Sequence, residues 1–269
     1  MIVVSAATGA LGRLVLDRLL ERCPADRLVA AVRDPDKAAD LAARGIGVRP
    51  GDYDDPAGLR AAFAGADRLL LISSPELDPV RRVAQHLNAV DAARDAGVGV
   101  LAYTSFLDAD TRADGVTAAH HATERALRES GLPHVLLRHP FYSEAFLHPG
   151  LRDAVATGEL ADGTGGRALN TASRADLAEA AARVLTEDHH TGNAYDFTGD
   201  PWTYDEPARE LTRASGVTVG LRPRRAGGAL GWLEAQVEAG HLERGTDDLA
   251  RVLGRRPTSL RQAVTALLG

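Results

Sequence analysis

The stretch Ser5-Ala6-Ala7-Thr8-Gly9-Ala10-Leu11-Gly12 directly follows the apolar run Ile2-Val3-Val4 and opens a helical pattern. A dinucleotide pyrophosphate needs that placement: backbone N–H groups at a helix N-terminus, with glycines that let the chain come close without a Cβ in the way. Gly9 and Gly12 fit the second and third glycines of a Gly-x-x-Gly-x-x-Gly loop, and Ala6 stands where the first belongs. An alanine is tolerated there only if the backbone keeps φ negative. The plainer alternative is a strand-to-helix turn that carries no ligand.

The choice of dinucleotide is read at the end of the second strand, where Val32-Arg33-Asp34-Pro35-Asp36-Lys37 stands. Arg33 can stack on adenine and fork onto a 2′-phosphate, with Lys37 one helical turn later as a second cation, so NADP is favoured over NAD. Asp34 could instead meet the 2′-hydroxyl of NAD, or Arg33 and Lys37 could simply pair with surface acids.

Carbonyl reduction by a Tyr-x-x-x-Lys pair relies on lysine to lower the tyrosine pKa. Lys37 is the only lysine, and the residues four after Tyr53, Tyr103, Tyr142, Tyr195 and Tyr204 are Ala57, Leu107, Phe146, Gly199 and Ala208. That pair is therefore absent, which leaves direct hydride transfer to an acceptor that needs little acid catalysis. Of the histidines, His139 is the candidate at an active site. His120 could donate a proton or orient a substrate, with exposed helix histidines at 120 and 121 as the commoner explanation. His86 reads as a helix residue in a buried hydrogen bond. His189-His190, in Asp-His-His-Thr-Gly, reads as solvated loop, and a metal there would want further ligands, so no metal is expected. Phe106, Phe141, Tyr142 and Phe146 could offer an aromatic surface to a flat substrate, or be core. No Gly-x-Ser-x-Gly, His-Glu-x-x-His or phosphate-loop Gly-Lys-Ser/Thr occurs, so hydrolase and nucleoside-triphosphatase chemistry lack support.

These residues must be held by elements that alternate along the first half. Strands are expected at Ile2–Ala6, Arg27–Val32, Ile46–Arg49, Arg68–Ser73, Gly99–Thr104 and His134–Arg138. Helices are expected at Leu11–Arg22, Pro35–Arg44, Pro56–Phe63, Pro79–Ala96 and Ala118–Ser130. Continuously apolar strands such as Leu69-Leu70-Leu71-Ile72 belong in a sheet covered on both faces, which defines an α/β, Rossmann-type, doubly wound parallel sheet. After Pro140 the rhythm breaks. Helices near 174–186, 204–215, 228–239 and 257–268 and strands near 194–197 and 217–221 suggest a smaller α/β substrate lobe. The expected division is 1–139 for the dinucleotide-binding lobe and 140–269 for the substrate lobe, with a ligand in the cleft between them.

Composition sets the outer limits. The 269 residues carry 25% charged and 45% hydrophobic side chains, a net charge of −6 and one cysteine, Cys23. Disorder and a disulfide scaffold are excluded, and a reducing cytoplasm is the simplest compartment. The net charge argues against a nucleic-acid partner. No charged leader precedes the first apolar run, and no window approaches the length a bilayer demands, so neither a targeting signal nor a membrane is expected.

Several stretches carry a resemblance: Ala-Thr-Gly-Ala-Leu-Gly at 7–12, Val-Arg-Asp-Pro-Asp-Lys at 32–37, Gly-Asp-Tyr-Asp-Asp at 51–55, Leu-Leu-Leu-Ile-Ser-Ser at 69–74, Ala-Tyr-Thr-Ser at 102–105, Leu-Leu-Arg-His-Pro-Phe-Tyr-Ser-Glu at 136–144 and Gly-Arg-Arg-Pro-Thr-Ser-Leu at 254–260. Together they resemble the NmrA-like atypical short-chain dehydrogenase/reductases, and within them the type 2 NAD(P)H:quinone oxidoreductases. The resemblance implies that Thr8, Gly9, Ala10, Leu11 and Gly12 hold the pyrophosphate and Arg33 the 2′-phosphate. It implies that Asp52 and Tyr53 lie beside the adenine, and that Ser73 and Ser74 border the nicotinamide ribose. Tyr103, Thr104 and Ser105 would lie next to the nicotinamide, with Arg138 to Tyr142 walling the substrate side. His139-Pro140 replaces an expected Asn-Gly pair.

The expected function is hydride transfer from NADPH to a quinone or similar planar small molecule, by a monomer or homodimer, with His139, Tyr142 and His120 as catalytic candidates. The alternatives are a non-catalytic NADP(H)-sensing regulator of the same fold and a reductase or isomerase of a specialised-metabolite pathway.

Overall fold

Strands that are apolar at every position have no face to give to water. The computed structural model, which describes residues 1–148 and 151–268, buries them accordingly. The elements of the first half follow in strict alternation: β1 (Ile2–Ser5), α1 (Ala10–Leu20), β2 (Leu28–Val32), α2 (Ala39–Ala43), β3 (Gly47–Pro50), α3 (Pro56–Phe63), β4 (Arg68–Leu71), α4 (Pro79–Asp95), β5 (Val100–Phe106), α5 (Ala118–Ser130) and β6 (His134–His139). Every residue of β1 and β2 is buried, and Leu69, Leu70 and Leu71 of β4 are fully so. Each such leucine contributes roughly 1.5–3 kcal/mol of burial. The expected single helix at Pro35–Arg44 is instead a 3₁₀ turn, Pro35–Ala38, followed by α2. The Asp34 carboxylate accepts the Asp36 N–H and opens that tight turn.

The remaining elements are β7 (Phe141–Tyr142), α6 (Leu151–Thr157), β8 (Glu159–Asp162), β9 (Thr171–Ala172), α7 (Arg174–Thr186), β10 (Ala194–Asp196), α8 (Asp205–Ser215), β11 (Gly220–Pro223), α9 (Gly228–Glu238), α10 (Asp248–Leu253) and α11 (Leu260–Leu268). Two compact units result. The first is Met1–His139 with Leu177–Asp196, and the second is Pro140–Asp176 with Phe197–Gly269. The sequence places one boundary at 139. The chain in fact returns to the first unit, because β10 adds to the sheet beside β6 with Ala194 opposite Leu136.

The first unit holds a seven-stranded parallel sheet in the order β10-β6-β5-β4-β1-β2-β3. From β1 the chain winds outward to β2 and β3, then crosses back to β4 on the other side of β1. Connections leave β1 and β4 in opposite directions, and a crevice opens at that reversal, at the carboxyl ends of the strands. One face of the sheet packs on α3, α4 and α5 through Leu59, Phe63, Ala89, Val90, Ala93, Leu127, Leu101 and Tyr103.

The second unit has two small parallel pairs, β8 with β11 and β7 with β9. Its own core comprises Phe146, Leu151, Leu160, Leu169, Trp202, Leu211, Val219, Val237 and Val264. No described helix is long and apolar enough to cross a membrane.

Candidate functional site

β1 delivers the chain to a tight loop in which Gly9 N–H returns to Ala6 O, and Gly9 then caps α1. Ala6 carries φ +47, against the expectation of a negative value. Its methyl packs against the core, so the position keeps the glycine geometry at the cost of left-handed strain of about 1–2 kcal/mol. Gly12 is a packing glycine. A Cβ there would lie 2.7 Å from Ala6 O and 2.8 Å from Ala7 Cα, so only glycine lets α1 sit this close to the loop. The first turn of α1 contains no acid, and Gly9 supplies no side-chain cap. The N–H groups of Ala10, Leu11 and Gly12 precede the first intrahelical bond, Arg13 N–H to Gly9 O, and an uncapped helix start of this kind favours an anion.

That helix start borders a cleft of about 490 Å³ lined by residues that include Ala6, Thr8, Gly9, Arg33, Asp52 and Ser74. Arg33 is exposed and makes no hydrogen bond or ion pair with any described residue, although its field reaches Asp54. Asp34, by contrast, is engaged. One oxygen accepts the Asp36 N–H and the other lies 3.4 Å from Lys37 Nζ. Lys37 therefore lines the same cleft with an acidic neighbour already beside it.

The far rim is braced by a polar chain. Arg81 donates to Asp54 at 2.7 Å, Gln85 Nε2 donates to Asp54 at 3.0 Å, and Ser74 Oγ donates to Gln85 Oε1. Arg81, then Gln85, hold the Asp54 carboxyl below its ordinary pKa. Sequence reasoning missed Arg81, Gln85, Glu76 and Ser5. Nothing in local spacing shows that Arg81 folds back on Asp54, 27 residues earlier.

Tyr53 borders the cleft, but its hydroxyl points inward. It donates to Ile72 O at 2.5 Å and receives the Ser5 hydroxyl at 2.6 Å, while Ile72 N–H donates to Ser5 Oγ at 2.9 Å. This triad stitches the ends of β1 and β4 at the crevice, and burial pushes the Tyr53 pKa up. Asp52 lines the cleft and accepts the Asp54 N–H. Ser73 N–H donates to Thr104 Oγ1 at 2.8 Å, which fixes the turn after β4 to β5.

The remaining polar candidates of the first unit turn into the protein. Arg82 Nη2 lies 3.1 Å from His120 Nε2; because a guanidinium only donates, His120 accepts there and carries its proton on Nδ1. That Nδ1 is 2.9 Å from the Tyr103 hydroxyl. Ser74 N–H donates to His86 Nε2, which places the His86 proton on Nδ1, 2.8 Å from Thr123 Oγ1. Burial, then the Arg82 charge, hold His86 at about 3 and His120 well below the ordinary imidazole pKa. Tyr103 is fully buried, and burial pushes its pKa up. His120, expected as an exposed or catalytic helix residue, is a neutral member of this buried network. His86 makes the buried hydrogen bonds expected of it.

Arg138 and Ser105 are engaged in the same way. Arg138 forks onto Glu124 with two bonds of 2.8 Å and reaches Asp110 at 3.1 Å and Asp196 at 3.3 Å. Ser105 donates to Glu124 at 2.6 Å. Burial opposes the Arg138 charge, but Glu124, then Asp110 and Asp196, outweigh it and raise the pKa. The Arg138 side chain, expected at the substrate wall, is directed into this cluster. His139 ends β6 almost wholly buried, and burial holds it neutral, at about 3.

In the second unit Tyr142 lies half-buried with the Arg174 guanidinium 4.4 Å from its ring centre, and Phe141 meets the half-exposed Trp232 edge-to-face. Phe146, expected on an aromatic surface, is core. The aromatic candidates therefore divide, with Phe141 and Tyr142 partly accessible and Phe146 not.

Residues 6–188 match the NAD(P)H-binding family. The chain belongs to that family and is an NAD(P)H-binding oxidoreductase. It is 45% identical over 223 residues to Quinone oxidoreductase 2 of Escherichia coli, covering 81% of this chain and 76% of that protein. Among solved structures it matches Citrobacter sp. triphenylmethane reductase complexed with NADP(H), at a TM-score of 0.95 and 36% identity over 99% of this chain and 100% of the other. It also matches an Escherichia coli NADPH-dependent quinone oxidoreductase complexed with NADPH, at a TM-score of 0.91 and 38% identity over the whole of both chains.

Proposed function

We propose that the protein is an NADPH-dependent reductase that passes a hydride directly to a quinone or a similar planar, electron-poor acceptor. The observation that carries the cofactor choice is the division of roles at the end of β2. A ribose diol would need a free carboxylate, and both oxygens of Asp34 already have partners. A 2′-phosphate would meet the open guanidinium of Arg33, while Lys37 and Arg81 on the same rim are already paired with Asp34 and Asp54. The start of α1 would hold the pyrophosphate, and Ser73 and Ser74 would border the nicotinamide ribose.

Bound NADPH supplies the hydride. The chain's own contribution is to orient that cofactor and to keep acid–base chemistry out of the step. Tyr103, expected next to the nicotinamide, is a neutral phenol hydrogen-bonded to His120, and His86, His120 and His139 are neutral imidazoles. An electron-poor ring requires no acid from them. The hydride carries two electrons and one proton's equivalent, the resulting oxyanion is delocalised, and a solvent proton completes the hydroquinone. The relatives named as a quinone reductase and a dye reductase, each solved with the phosphorylated cofactor, support this reading.

Purified protein mixed with NADPH and a quinone should lose absorbance at 340 nm continuously, and much faster than with NADH. Tight NADP(H) binding without turnover of any quinone would overturn the proposal and favour a cofactor-sensing regulator.

A further inference from the structure

We propose that Glu187, His189 and His190 form a binding site for one divalent transition-metal ion of the zinc type. The site is in the turn from α7 to β10, at the amino ends of the strands, and so on the opposite edge of the sheet from the dinucleotide cleft. One donor atom from each side chain lies within 4.8 Å of the other two. Glu187 Oε2 is 3.2 Å from His190 Nε2 and 3.8 Å from His189 Nε2. Ligands at about 2.0–2.1 Å around a tetrahedral zinc ion stand about 3.3 Å apart, so the Glu187 oxygen is already near that spacing from both histidines, and an ion would replace the hydrogen bond that His190 Nε2 donates to it. Two imidazole nitrogens and a carboxylate oxygen suit zinc, with a fourth position left for water.

The surroundings hold these donors in place. His190 is buried, and its Nδ1 is 2.8 Å from the Tyr195 hydroxyl, the outer contact that turns Nε2 toward the site. The other Glu187 oxygen, Oε1, accepts from Arg22 at 2.7 Å, which directs Oε2 to the histidines. Arg68 grips the end of α7 through Val184 O and Glu187 O, and Asn193 binds the carbonyls of His189 and His190, so the backbone of the turn is fixed from both sides. The rings of His189 and His190 lie 4.0 Å apart, and His189 is exposed and able to swing onto an ion. The expectation of a solvated loop fails at His190, and the further ligand that the histidine pair required is its near neighbour Glu187. The ion would clamp the turn between α7 and β10 and stabilise the first unit.

The test is equilibrium dialysis and calorimetry of the untagged full chain with zinc chloride. One ion should bind per chain and raise the thermal midpoint. His189→Ala, at an exposed side chain that the fold does not need, should weaken binding by at least about tenfold, as should Glu187→Gln; Tyr195→Phe should weaken it by about tenfold through the outer contact. Cys23→Ser should bind as the parent does. Absence of saturable binding, or stoichiometric binding that survives both His189→Ala and Glu187→Gln, would overturn the proposal, as would binding lost in Cys23→Ser.

Discussion

At the ends of β1, β2 and β3 the start of α1 and Arg33 face an open cleft, whereas along β5 and β6 the polar groups face one another. In the first region the start of α1 has no cap and Arg33 no partner among the described residues. In the second, Tyr103 is tied to His120, and Arg138 to Glu124, Asp110 and Asp196. Both regions hold residue types that could do chemistry, and the difference between them is availability. Charged and titratable groups in the second region fix the geometry of the strand ends, while in the first the Tyr53 triad and the Asp54 pair brace the rim and leave Arg33 and the start of α1 to meet a ligand.

The largest effect should come from the closed region. Glu124→Gln removes the buried carboxylate onto which Arg138 forks, and with Asp110 and Asp196 still in reach the loss should be about 1.5–3 kcal/mol, the worth of hydrogen bonds to a charged group. Chemical denaturation should show this loss, and a loss under 1 kcal/mol would mean that the cluster is not structural. In the open region Arg33→Ala should leave the fold intact and weaken NADPH by about 10- to 100-fold, the worth of a charged hydrogen-bonding group, with little change for NADH. Equal losses for the two cofactors in a fluorescence titration would show that Arg33 does not read the 2′-phosphate.

Acid should act on the closed region. His86 and His139 titrate at about 3 in the fold, below the ordinary imidazole value, so the unfolded chain takes up more protons in between. Their contribution is complete above the unfolded pKa of about 6.5 and is lost as pH falls toward 3, by up to about 1.4 kcal/mol per pH unit for each histidine. Denaturation across this range should flatten in His139→Asn, and an unchanged slope would contradict the burial argument. The smallest effect is Ala6→Gly. Relief of about 1–2 kcal/mol of left-handed strain is offset by roughly 0.4–1 kcal/mol of added unfolded-state freedom. A slight gain in denaturation midpoint with unchanged NADPH affinity is expected, and a marked loss of midpoint would show that the core packing of the alanine methyl outweighs the strain.

What the sequence made legible follows the same division. The strand–loop–helix at 2–20 and the cation at 33 are local, set by periodicity and turn chemistry, and the structure places them together around one cleft. The helix Arg174–Thr186 was equally plain. The partners of Arg138 and His120 were not, because Glu124, Asp110, Asp196 and Arg82 come from other elements and no spacing rule connects them. The place of β10 as seventh strand was hidden for the same reason, since a three-residue strand carries no signal of its neighbour. In the second unit β7, α6, β9 and α10 are all seven residues or shorter, too brief for periodicity to declare.

The proposed hydride transfer in the first unit's cleft takes no help from the buried tyrosine and histidines. Single-turnover reduction of a quinone by NADPH deuterated at one or the other C4 position tests it most directly, in the parent and in Tyr103→Phe. A primary isotope effect with one diastereomer only, and a rate in Tyr103→Phe within about threefold of the parent, is the predicted result, because 1.4 kcal/mol is a factor of ten in rate and no catalytic contribution is assigned to that hydroxyl. No isotope effect with either diastereomer, or a collapse of the rate in Tyr103→Phe with the fold intact, would contradict it.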